Sequence, residues 1–355
     1  MEKNYPLIKG MKTKGVKMMK KVLLSVLTTS IVLASGLSKE AKDAGLVAIP
    51  DDKGALLKLI DDKRNPITAE KTELGKMLFF EPRISKSGLI SCNTCHNLAT
   101  GGDDGLPAAV GHKWTVNPHG LGSPTVYNAV FFDTQFWDGR SPDLEDQAQG
   151  PILAAPEMAA TKEHVVATVT SIPEYVEKFQ KAYGKDVKID YKKIADTIGN
   201  FERTLVTPAP FDDYLNGKED ALSKAQKTGL KTFIDKGCAT CHTGIALGGS
   251  MNMLGITAKY KYADVGDFKG DANGMVKVPT LRNITQTAPY FHNGAVVTLK
   301  EAIVEMGRIQ LGVSITDKEA VSIETFLGSL DGRKPEIVYP VLPRRTAATP
   351  KQNIN

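Results

Sequence analysis

The chain has 355 residues, 41% of them hydrophobic, and a formal net charge of +5; this is long enough for two ordinary domains and too apolar for a disordered segment. Seven lysines and one glutamate give residues 1–36 a net +6, so the remaining residues carry −1, and their charge balance does not point to a nucleic-acid partner. Thirty-two glycines, 19 prolines and an aromatic content of 7% suit short helices joined by long loops better than a β-sandwich, so a mainly α fold is expected.

In chain order, Lys12, Lys14, Lys17, Lys20 and Lys21 precede the apolar run Val22 to Leu33 and the small residues Ala34-Ser35-Gly36. That pattern predicts a secretory signal peptide over 1–36 and a periplasmic protein. The 12-residue apolar run falls short of the roughly 20 needed to cross a bilayer, so no stable membrane span is expected. Leu46 to Ile60 is short and mixed, whereas Thr68 to Phe80 places Leu74, Met77, Leu78 and Phe79 on one helical face. Cys92-Asn93-Thr94-Cys95-His96 follows, and then a glycine-rich loop carrying His112, Trp114 and His119; loops of that length in compact domains are usually functional.

Helical spacing resumes over Glu163 to Tyr183, interrupted at Pro173, and over Tyr191 to Leu205. Thr207-Pro208-Ala209-Pro210 disfavours helix and predicts a boundary between an N-terminal domain, 37–207, and a C-terminal domain, 208–334. Leu222 to Ile234 should lead as a helix into Cys238-Ala239-Thr240-Cys241-His242. Helices are expected over Leu299 to Met306 and Asp317 to Leu330, the latter capped by Thr316 or Ser314. The proline-bearing tail, 335–355, should lie on the surface of the N-terminal domain.

The two Cys-x-x-Cys-His motifs use every cysteine in the chain, and each reads as a covalent c-type haem attachment site, one per domain. The thiols add across the porphyrin vinyl groups and the adjoining histidine binds the iron. Disulfides are the weaker reading, because a histidine follows each second cysteine. The occupant of the sixth iron position separates electron transfer from chemistry on a substrate. Four histidines remain: His112, His119, His164 and His292. His164 sits in a helical pattern and reads as a surface or core residue, while the loop could fold either His112 or His119 back over the first iron. For the second iron the candidates are Met251, Met253, Met275, Met306 and His292; spacing gives Met306 a modest lead over Met275.

The stretches Ser91 to Asn97, Gly111 to Trp114, Ser123 to Asn128, Gln135 to Arg140, Pro279 to Asn283 and Thr287 to Gly294 resemble the bacterial dihaem cytochrome c peroxidases, over about residues 66–335. The resemblance implies two cytochrome c-like domains. An N-terminal haem reduces hydrogen peroxide, and a C-terminal haem takes electrons from a small c-type cytochrome or cupredoxin. It implies His96 as proximal and His112 as removable distal ligand of the first iron, and His242 and Met306 as ligands of the second. It further implies Glu157 and Gln147 in the peroxide pocket, Trp137 between the haems, and a homodimer. A calcium ion held by the Thr287 and Pro289 carbonyls is also implied, weakened because Gly122 stands where the family has asparagine. Two rival expectations are a dihaem electron carrier and a protein-modifying dihaem oxidase.

Overall fold

The structure, a computed structural model, describes residues 36–354, so the predicted signal peptide lies outside the described residues except for its last position. The longer helices are α1 (Lys53–Ile60), α2 (Ala69–Phe79), α3 (Lys162–Thr170), α4 (Pro173–Tyr183), α5 (Tyr191–Glu202), α6 (Lys224–Asp235), α7 (Leu299–Met306) and α8 (Asp317–Leu327). The described strands form one short antiparallel hairpin, β1 (Met251–Met253) with β2 (Met275–Lys277), in the register Met251 to Lys277. Among the described residues no helix is long and apolar enough to cross a membrane.

Local chemistry sets the helix ends. Thr68 caps α2 by accepting from the Lys71 N–H. Pro173 stands at the first position of α4, where no helical N–H is needed, and so separates α3 from α4. Ser223 with Gln226 and Thr316 with Glu319 form reciprocal capping boxes on α6 and α8. After α8 the chain tightens into a single 3-10 turn, Gly328–Leu330.

Two apolar cores form. The first joins Leu74, Phe79, Ile152, Val165, Phe179, Ile198 and Phe201. The second joins Phe211, Leu230, Phe233, Val296, Ile303, Ile323 and Phe326, with Ala41 and Leu46 from the start of the described chain. Each is centred on a close helix crossing made possible by a glycine. A Cβ on Gly75 of α2 would strike the Thr197 carbonyl of α5, and one on Gly229 of α6 would strike the Ser322 carbonyl of α8. Beside these crossings lie Phe201 and Phe326 respectively. The tail lies across the first core: Ile337 and Leu342 pack on it, Tyr339 meets Phe80 at 4.6 Å between ring centroids, and the Asn353 N–H donates to the Lys86 carbonyl.

The two halves also share a repeat that composition and helical periodicity do not disclose. Pro124-Thr125-Val126-Tyr127-Asn128 and Pro279-Thr280-Leu281-Arg282-Asn283 lie 279 − 124 = 155 residues apart. In both, the threonine hydroxyl donates to a carbonyl, of Gly101 or Ala246, and accepts from the N–H two residues on. In both, the asparagine has positive φ, 61° and 59°, and starts a 3-10 turn. The same interval relates Phe136-Trp137 to Phe291-His292, whose phenylalanines have φ of 65° and 66° and whose flanks form matching bridges, Gln135 to Ser141 and Tyr290 to Val296. The two asparagines converge: Asn128 and Asn283 each donate to the Thr207 hydroxyl, at 2.8 and 2.9 Å, joining the halves at the sequence boundary.

Candidate active site

Each attachment motif ends in a half-buried histidine whose Nδ1 is fixed by backbone. His96 Nδ1 lies 3.0 Å from the Pro124 carbonyl, and His242 Nδ1 lies 3.2 Å from the Leu247 carbonyl. A histidine that donates from Nδ1 presents the Nε2 lone pair, the form an iron ligand requires. Burial lowers the pKa of both rings, favouring that neutral form. The four cysteines are free and half-buried; burial pushes the Cys95 thiol up to about 12 and the Cys238 thiol up to about 11, so these two are uncharged before attachment. Neutral, fixed histidines beside free thiol pairs fit two covalent c-type haems.

Around the second motif a large cavity is lined by Cys238, Cys241, His242, Trp137, His292 and Met306. Met306 closes α7 and is followed at once by a π-turn, Gly307–Leu311, an irregularity common at functional sites. The Glu305 carboxylate pairs with Arg308 at 2.7 Å and accepts from the Lys261 N–H, pinning the turn on either side of the methionine. Met253 also lines the cavity but is half exposed, on the hairpin with Met251 and Met275. His292 is buried among Trp137, Tyr260 and Phe268, with burial pushing its pKa down to about 4.

The first motif faces a different arrangement. His112 is buried, and neither ring nitrogen has a hydrogen-bond partner, an unusual state for polar atoms out of water. It sits at the start of a 3-10 turn whose Lys113 and Trp114 have φ of 58° and 57°, a left-handed conformation that side chains resist. Its N–H donates to the Glu157 carbonyl at 2.7 Å. Gly111 makes this approach possible, because a Cβ there would strike Pro156 and Glu157. The Glu157 carboxyl is pushed above the usual carboxylate range by burial, opposed by Arg140, and it acts electrostatically on Cys95. The structure therefore gathers His112, Glu157 and Cys95. Gln147 ends the short helix Leu144–Gln147, half-buried, and lines neither the open pocket beside His112 nor the cavity of the second motif.

His119 is exposed and pairs with Asp267 at 2.8 Å, which removes it from the first iron. His164 Nε2 meets the Arg83 and Ser85 carbonyls, a structural contact. Trp137 lines the cavity of the second motif, its Nε1–H donating to the Gly122 carbonyl at 3.1 Å and its ring 6.3 Å edge-on from His292. Thr287, Pro289 and Gly122 share the cavity of the second motif. Among the described residues no cluster of three His, Cys, Asp or Glu side chains could hold a metal ion.

Sequence reasoning missed two parts of this surround. Arg282, fully buried, forms a two-point pair with Asp212 at 2.8 and 2.9 Å while its Nε donates to the Ile245 carbonyl, and Asp212 also accepts from the Ile49 N–H. Glu202, buried with Oε2 unpaired, stands behind Cys92, with burial raising its pKa to about 8. A lone arginine and a lone glutamate on helical or loop patterns carry no sign of burial in the sequence.

Two attachment motifs with fixed histidines, on two helical cores, define a dihaem c-type protein. A family model for di-haem cytochrome c peroxidases matches residues 69–220. The chain is 45% identical to the cytochrome c551 peroxidase of Pseudomonas aeruginosa, over 86% of this chain and 92% of that one. It is 44% identical to the cytochrome c551 peroxidase of Nitrosomonas europaea, over 81% and 87%. Among solved structures, a MauG-like protein associated with microbial copper homeostasis superposes with a TM-score of 0.65 at 25% identity, covering 76% of this chain and 92% of that one. The chain belongs to the di-haem cytochrome c peroxidase family, and it is an enzyme with cytochrome c peroxidase activity.

Proposed function

We propose that the two haem sites are unequal: the one at Cys92, Cys95 and His96 is where hydrogen peroxide is reduced, and the one at Cys238, Cys241 and His242 receives electrons. The observation that carries this is the contrast in the sixth position. His112 is buried, unpartnered and held on a strained turn, whereas Met306 closes a regular helix facing the His242 cavity. A ligand on a strained loop is suited to withdrawal and one on a braced helix to permanence, and methionine ligation favours a high potential.

The haems supply the redox chemistry: two electrons and two protons convert one hydrogen peroxide to two waters. The chain supplies the rest. His112 closes the peroxide position until the loop moves. Glu157, whose carboxyl burial pushes above its ordinary pKa, carries a proton from one peroxide oxygen to the departing one. Gln147 orients peroxide by hydrogen bonding once the loop has moved. Trp137, between the sites, bridges them.

The same reading divides the chain into a peroxidatic domain, 37–207, overlaid by the tail 335–355, and an electron-receiving domain, 208–334, to whose core Ala41 and Leu46 contribute. Electrons come from a small c-type cytochrome or cupredoxin, the enzyme is a periplasmic homodimer exported by residues 1–36, and calcium binds at the Thr287 and Pro289 carbonyls. Support for calcium is a nest of hard oxygens, since the position a side chain at Gly122 would take lies 3.2, 3.5 and 3.8 Å from the Pro107, Leu106 and His292 carbonyls. Spectra of the half-reduced protein, with peroxide turnover on the same sample, test the assignment. The first haem should lose its histidine ligand when the second is reduced; a half-reduced protein with both irons six-coordinate and no turnover would overturn it.

A further inference from the structure

Lys277 has no role in the chemistry above, yet it is a lysine only 3% exposed. It ends β2, opposite Met251, and its backbone N–H donates to the Trp137 carbonyl at 2.8 Å. Its ammonium lies 4.8 Å from the centroid of the Phe132 ring. Lys277, Phe132 and Trp137 all line the cavity that contains Cys238, Cys241 and His242. The carboxylate that acts on it through space, Asp138, is engaged by Arg140 at 2.8 Å, so a buried cation faces this cavity without a hydrogen-bonded anion. Burial accordingly brings its pKa down to about 7. A buried ammonium without a partner is strongly disfavoured, and the group that fills this cavity brings anions of its own, the haem propionates.

We propose that the Lys277 ammonium is the counter-ion of a propionate of the haem attached at Cys238 and Cys241, fixing that edge of the haem beside Trp137 and raising its reduction potential. The pair places the lysine, through its own N–H, one hydrogen bond from the aromatic residue between the sites. A positive charge beside the haem disfavours the ferric state, which carries one more positive charge than the ferrous state, so reduction becomes easier. Lys277 is a positioning and tuning residue here, because it touches the haem edge and not the iron. The inference rests on the proposed function only for the ligands of that haem.

Redox titration of the purified holoenzyme, resolving the two haems spectroscopically, tests it. Lys277→Met should lower the reduction constant of the second haem about tenfold, equivalent to about 59 mV for one electron, and leave the first haem unchanged. The propionate-bending band in the resonance Raman spectrum should shift with it, and Lys277→Arg, which keeps the charge, should retain the parent potential. An unchanged potential in Lys277→Met, an equal shift of both haems, or a fall in Lys277→Arg as large as in Lys277→Met would overturn the proposal. Should Lys277→Met fail to take up haem, Lys277→Gln carries the same comparison. Loss of the methionine-to-iron absorption in the parent itself would instead overturn the Met306 assignment and leave the lysine test readable.

Discussion

Replacing His112 with glycine tests the gate most directly. Both imidazole nitrogens are buried without partners. If His112 is the distal ligand proposed above, iron satisfies one of them, and withdrawing the ring without moving the loop would leave it unpaired again at a cost of about 1–3 kcal/mol. That range corresponds to a resting protein closed by about 5- to 150-fold. Against it works the turn itself: Lys113 and Trp114 are left-handed, at φ 58° and 57°, and opening relaxes a part of that strain smaller than the closing term. The opposing strain favours the lower end of the range, so fully oxidised His112→Gly should react with peroxide about 5- to 30-fold faster than the oxidised parent. Stopped-flow mixing of oxidised protein with peroxide measures the rate, and electron paramagnetic resonance should show a new high-spin signal from the first haem. The exposed His119 supplies the control, since His119→Gly should change neither. If His112→Gly stayed low-spin and reacted at the parental rate, His112 would not be the ligand and the strained turn would need another purpose.

Glu157→Gln keeps the shape of the buried side chain but cannot shuttle a proton, so kcat should fall by roughly 100- to 10,000-fold with both haem spectra unchanged; undiminished turnover would remove Glu157 from the mechanism. Gly229→Ala puts a methyl group on the Ser322 carbonyl and should cost about 1–3 kcal/mol in denaturant unfolding of the holoprotein, whereas Gly328→Ala, where nothing lies within 4 Å, should cost little. Glu202 is an acid whose pKa rises to about 8 on folding. The folded state therefore holds its proton longer than the unfolded state, and stability falls as pH rises from the unfolded carboxyl value through 8. The slope is at most about 1.4 kcal/mol per pH unit. Thermal unfolding of Glu202→Gln should lose this dependence between pH 5 and 8, and an identical pH profile in the two proteins would contradict the burial argument.

The helices were legible because each carries an amphipathic face and a chemical stop. Leu299 to Met306 is a helix over the very residues its pattern marks, Pro173 divides α3 from α4, and Thr316, not Ser314, caps α8. The helix over 191–205 ends earlier than its apolar spacing, at Glu202, because Thr204 and Leu205 turn to bring Leu205's carbonyl to the Asn128 N–H. The hairpin β1–β2 was not legible. Three-residue strands contain too few alternations to register, and Met251, Met253 and Met275 read instead as candidate ligands. At the site, the cysteines and histidines of the motifs announce their chemistry through spacing. His112 could not be separated from His119 by the residues alone, and the difference lies in tertiary partners: Asp267 holds one at the surface, while the approach of Gly111 to Glu157 draws the other inward.

The 155-residue repeat explains how one scaffold yields two unlike sites. In both halves a proline–threonine–asparagine segment fixes the wall beside the motif histidine: Pro124 accepts from His96, and a Pro279 backbone hydrogen bond supports His242. In both halves a left-handed phenylalanine then precedes a residue that lines the cavity of the second motif. Here the copies diverge, because that residue is Trp137 in one and His292 in the other, and the two rings meet edge to face. The position equivalent to Lys277 is Gly122, since 277 − 155 = 122. A cation therefore faces one cavity where the other half has only a backbone carbonyl, already accepting from Trp137. The loop after the first motif, with His112 on its strained turn, has its counterpart in the hairpin after the second, which instead ends at Lys277. Two like haem sockets thus become unequal through the segment downstream of each motif: a buried, unpartnered histidine on a strained turn after the first, and a buried lysine after the second.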